Sequence, residues 1–100
     1  MRDLYTEQRT SLNRLIKVAK SRTGQSQAIA NFLLAWWNAE TCGGFDLAEL
    51  RSVDSDYVND MVNVIRYIAS ERAYTDDLGL DEELDALVKQ WRPNLAVQTE

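Results

Sequence analysis

Histidine is absent from this chain of 100 residues, cysteine and proline occur once each, and glycine occurs four times. Each shortage excludes something. Without histidine there is no imidazole general base, no imidazole metal ligand, and no Ser-His or Cys-His nucleophile pair. The single cysteine, Cys42, cannot close an internal disulfide, which suits a reducing cytoplasm. With so little proline and glycine, long helices meet few interruptions. The longest unbroken apolar run, Phe32 to Trp37, falls far short of the ~20 residues that span a bilayer. Met1 to Tyr5 has no apolar stretch of the signal-peptide kind. The expectation is a cytoplasmic protein with no membrane partner.

What is present is enough for one folded unit. The hydrophobic share of 45% is ordinary for a globular chain, and the length matches a single domain over residues 1–100, with a frayed tail from about residue 95. The charge is divided unevenly. Up to Ala39 there are six bases (Arg2, Arg9, Arg14, Lys17, Lys20, Arg22) and two acids, a net +4. From Glu40 onward five bases face fourteen acids, a net −9. Such a split points to a protein that meets a charged macromolecule.

Apolar residues recur at helical spacing in five segments. In the first, from about Thr6 to Ser21, Leu12, Leu15, Ile16 and Ala19 share a face, while Arg14 and Lys17 lie opposite, with Arg9 and Lys20 beside them. Ser26 is the expected N-cap of the second, which runs to about Ala39 and is apolar around most of its circumference, the mark of a central helix. Asp46 and Glu49 have capping-box spacing ahead of a short helix to about Ser52. Asp54 or Ser55 starts the longest helix, to about Arg72. Its expected buried face holds Val58, Met61, Val62, Ile65, Ile68 and Ala69, leaving Asp56, Asp60, Asn63 and Tyr67 towards water. The last helix runs from Asp81 to Trp91 with Leu84, Leu87 and Val88 inward, and Pro93 stops it. No two-residue alternation persists, so the fold class is all-α, a small single-domain bundle of about five helices.

Catalytic groupings are scarce. Cys42 follows a helix end beside Glu40, and both features disfavour a thiolate. Asp54-Ser55-Asp56 opens like a calcium loop but lacks the glycine and closing glutamate at their offsets. Gly43-Gly44 lacks the lysine and spacing of a phosphate loop. The reading is no enzyme, no metal and no cofactor.

Three surfaces remain for binding. The basic side of the first helix, Arg9, Arg14, Lys17 and Lys20, is either a solvated face, a dock for an acidic protein, or a contact for nucleic acid. The acidic set includes Asp54, Asp56, Asp60, Asp76 and Asp77; it is either a solubilising face with helix caps or an imitation of phosphates. The aromatic set is Trp37, Tyr67 and Tyr74, suited to anchoring an interface or to simple packing. Leftover apolar area on the second or fourth helix also admits a homodimer.

The run Phe32-Leu33-Leu34-Ala35-Trp36-Trp37-Asn38-Ala39-Glu40, then Cys42-Gly43-Gly44-Phe45-Asp46-Leu47, with Trp91-Arg92-Pro93 near the end, resembles small acidic helical proteins of bacterial plasmids, integrative elements and phages. Among them the chain looks like an anti-CRISPR protein of the type I class. That resemblance implies a non-enzymatic inhibitor in the bacterial host cytoplasm. Its partner would be a type I CRISPR-Cas surveillance complex, kept from target DNA by an acidic ligand on its basic surface, without direct nucleic-acid contact. The competing readings are a small DNA- or RNA-binding accessory regulator using the basic first helix, and a self-associating module.

Overall fold

The helical period of the sequence is realised over the described residues, with shifts at several helix ends. The computed structural model describes residues 2–71 and 78–98. In order these form α1 (Arg2–Ala19), α2 (Gly24–Cys42), a 3-10 helix (Leu47–Ser52), α3 (Ser55–Glu71), α4 (Asp81–Trp91) and α5 (Pro93–Gln98). No strand occurs among the described residues, and the class is all-α.

Local chemistry explains where the helices start and stop. Thr23, not Ser26, caps α2: its Oγ1 accepts from the Ser26 N–H at 3.1 Å. Ser26 is fully buried one turn further in. Inside α2 the backbone breaks at Asn38, which leaves helical geometry with φ −162° and ψ 82°. Its Oδ1 accepts from the Thr41 N–H at 3.2 Å, so Asn38 caps a final turn. That turn carries α2 to Cys42, beyond the Ala39 that periodicity suggests. Gly43 then reverses the chain at φ +98°, a conformation suited to glycine.

Asp46 caps the 3-10 helix as its spacing predicts, Oδ1 accepting from Ala48 N–H at 2.9 Å. Glu49 instead looks outward from the capping box, and its Oε1 accepts from Asn31 Nδ2 at 3.0 Å. Pro93 ends α4 yet also opens α5, because a missing N–H costs nothing at a first helical position. The helix that Pro93 opens runs to Gln98.

Around α2 the core closes as expected for a central helix. Its Ala28, Ile29, Ala30, Phe32, Leu33 and Leu34 are buried among Leu12, Leu15, Ile16 and Ala19 of α1 and Leu84, Leu87 and Val88 of α4. The end of α4 then fastens the open ends of two other helices, whose last carbonyls have no partner within their own helix. Trp91 Nε1 donates to the Ala19 carbonyl at 2.9 Å, and Gln90 Nε2 donates to Ser21 at 3.0 Å. Arg92 Nε donates to the Cys42 carbonyl at 3.0 Å, while its Nη2 reaches Asn31 Oδ1 at 2.6 Å. The Gln90-Trp91-Arg92 run is thus a clasp.

One helix is rotated from its expected setting. α3 packs mainly on α1, and it buries Asp60, Met61 and Val64. Val62 and Ile65 stay 39% and 48% exposed, and Ala69 is exposed too. Asn63 and Tyr67, expected towards water, are half-buried. The cause is polar: α1 supplies partners for Asp60, and satisfying that carboxylate turns the apolar stripe partly outward.

Candidate functional site

Asp60 is the largest correction to the sequence reading. Rather than facing a partner, it is 3% exposed. Its Oδ2 accepts from Arg14 Nε at 2.9 Å, and its Oδ1 accepts from Arg14 Nη2 at 2.7 Å and from Ser11 Oγ at 2.9 Å. Asn63 Nδ2 donates to Ser11 Oγ at 3.0 Å and completes the node. The Arg14 hydrogen bonds hold the Asp60 carboxyl below its ordinary pKa; burial opposes this and Ser11 assists it. In return the Asp60 hydrogen bond and charge hold the Arg14 pKa up. A bidentate pair of this kind fixes the rotation of α3 on α1. It commits three of the acceptor sites of the Asp60 carboxylate within the molecule.

The basic face of α1 is correspondingly less free than its charge implies. Arg14 is committed to Asp60, and Lys20 is paired with Glu83. Arg9 extends Nη1 to the Leu78 carbonyl at 3.5 Å. Lys17 is exposed and, among the described residues, makes no ion pair. Two of the four candidate cations are therefore neutralised within the molecule.

Of the acidic candidates, Asp54 and Asp56 are exposed at the start of α3. Gln25 holds Asp54 in place: its Oε1 accepts from the Asp54 N–H at 2.9 Å, and its Nε2 lies 3.4 Å from the carboxylate. With Arg14, Tyr57, Asn59, Asp60 and Asn63 these two acids line a polar cleft of about 470 Å³. Asp76, Asp77 and Tyr74 lie outside the described residues. Trp37 is half-buried against the core, and Tyr67 is half-buried in a small cavity of about 130 Å³ with Gln8, Leu12, Trp36 and Val64.

The feature that sequence reasoning did not assemble is an apolar groove of about 440 Å³. Its floor is α2, through Phe32, Ala35 and Trp36. One wall is the segment around the 3-10 helix, with Phe45, Leu47 and Leu50; the other is α3, with Val58, Met61, Val62, Ile65 and Ile68. The Phe32 and Phe45 rings meet edge to face, centroids 5.6 Å apart, and brace the floor against the first wall. No charged side chain lines it, and Leu47 projects from its wall at 72% exposure. The sequence signal was the width of the α3 stripe, wider than one packing neighbour can cover.

Burial raises the Cys42 thiol pKa, with Arg92 a smaller opposing influence. Among the described residues no three carboxylate or thiol side chains gather as a metal site, and no helix is long and apolar enough to cross a membrane. Neither curated proteins nor solved structures gave a match to the chain. Residues 9–92 do match a described group, the family of unknown function DUF7673. Since that match takes in α2, α3, α4 and most of α1, the groove, the polar node and the clasp included, the chain belongs to the DUF7673 family.

Proposed function

We propose that this chain is a non-enzymatic protein-binding module of a bacterial mobile element, acting in the host cytoplasm. The single observation that carries the binding class is the groove between α2, the 3-10 helix and α3. It is an apolar surface without a charged lining, of the kind that marks interaction sites. The want of histidine and the buried, pKa-raised thiol of Cys42 support binding over catalysis.

The partner we propose is a type I CRISPR-Cas surveillance complex, held away from its target DNA. Two things support that choice: the resemblance carried by the Trp36-Trp37 and Cys42-Gly43-Gly44 region, and the exposed acids Asp54 and Asp56 beside a polar cleft. These acids suit a basic DNA-binding surface. The neutralisation of Arg14 and Lys20 weighs against the competing nucleic-acid regulator.

A mobility-shift series tests the proposal. The purified chain, added to a type I complex, is expected to abolish the shift of target DNA while leaving bare duplex unretarded. Asp54→Lys with Asp56→Lys should restore target binding without unfolding the protein. A complex that binds its target equally well at saturating protein refutes the partner. Retardation of bare duplex would favour the regulator.

A further inference from the structure

We propose that the groove is a self-association surface and that its occupant is a second copy of this chain; this rests on reading the groove as a protein-docking face. The patch carries both halves of a contact. On the 3-10 wall Leu47 projects at 72% exposure, and on the α3 wall Val62 and Ile65 are 39% and 48% exposed beside the opening. A two-fold interface needs a patch complementary to itself, so that residue i meets j while j meets i. A two-fold axis along the groove sets the 3-10 wall of each copy on the α3 wall of the other. Leu47 then enters beside Val62 and Ile65, twice.

The rim charges agree with that pairing. The exposed Asp46 directly precedes Leu47 of the first wall, and the exposed Arg66 follows Val62 of the second by one helical turn. Asp46 uses one carboxylate oxygen to cap Ala48, and neither residue is in an ion pair among the described residues. The same axis brings Asp46 of each copy towards Arg66 of the other. Arg51, on the same 3-10 helix as Leu47, turns its Nε back to the Ala48 carbonyl at 3.2 Å. The second copy therefore meets opposite charges at the rim although the whole chain carries −5.

Size sets the expected strength. Eleven residues line the groove, against the roughly 20–30 per side of a standard interface. Association is thus expected to be of the weak, reversible kind.

Sedimentation equilibrium of the full chain from about 5 to about 500 µM reads this directly. The weight-average mass should climb from 11.5 kDa towards twice that value. Ile65→Glu and Leu47→Glu, both at exposed positions, should stay at 11.5 kDa with unchanged helical circular dichroism. Arg66→Glu should weaken association about tenfold at low salt and less at high salt. A wild-type protein that stays monomeric throughout, or groove variants that dimerise like wild type, overturns the second copy. Anilinonaphthalene sulfonate fluorescence then separates the two levels. A monomer whose dye enhancement is lost in Ile65→Glu keeps the docking face for another protein, whereas a monomer with no enhancement removes the docking face as well.

Discussion

Replacing Asp60 by asparagine keeps the volume of the side chain and removes its charge, so it isolates the polar node. The carboxylate accepts three hydrogen bonds, two from Arg14 and one from Ser11. An amide offers one oxygen, and its NH2 must face either Arg14 Nε or the Arg14 Nη2 and Ser11 pair. At least one charge-assisted bond is lost, the Arg14 Nε bond in the less costly orientation, and such bonds are worth about 1.5–3 kcal/mol. The Arg14 side chain is 54% exposed and rehydrates on release, which places the loss near the lower figure, about 2 kcal/mol. For a domain of this size that lowers Tm by ~8–16 °C.

Dependence on pH gives the sharper test. The folded Asp60 pKa is depressed below the unfolded value, which is about 3.9. Its contribution is therefore fully present above that pH and fades as pH falls through the folded pKa. Urea unfolding of wild type and Asp60→Asn should differ by a constant amount from about pH 5 to 8 and converge in acid. A difference under about 0.5 kcal/mol at neutral pH, within the range of ordinary surface changes, would refute the node as a structural lock. It would return Asp60 to the set of partner-facing acids.

Two further outcomes follow from the clasp at the end of α4. Arg92→Met removes the donors to the Cys42 carbonyl and to Asn31; it should cost about 2 kcal/mol, read as a lower urea midpoint with an unchanged slope. Cys42, buried and with a raised thiol pKa, should react with a disulfide reagent at pH 8 only as fast as the structure opens. Reaction at the rate of a free thiol, or a rate indifferent to mild denaturant, would contradict that burial.

The residues that name each helix were legible because helical periodicity is local. Leu12, Leu15 and Ile16 on α1, and Leu84, Leu87 and Val88 on α4, are inward where their spacing puts them. Asp46 caps what it was expected to cap, since that bond spans two residues. Other caps were misread because neighbouring residues compete: Thr23 and Ser26 both qualify, and only the burial of Ser26 decides between them. Asn38 was silent in the sequence, since an asparagine just past an apolar run looks like an ordinary polar position near a helix end.

By itself the sequence determined the class and the composition of this protein: helices, one core, no histidine chemistry and an unequal charge. Tertiary structure alone decided which charges remain available and which apolar surface stays open. Asp60 and Arg14 are 46 positions apart, and no local rule pairs them. Their bond sets the turn of α3 about its own axis, withdraws one acid from the surface and neutralises one base, and leaves Val62 and Ile65 beside a groove. Local spacing specifies a helix and its stripe; the rotation of that stripe depends on long-range partners, which only the folded chain brings together.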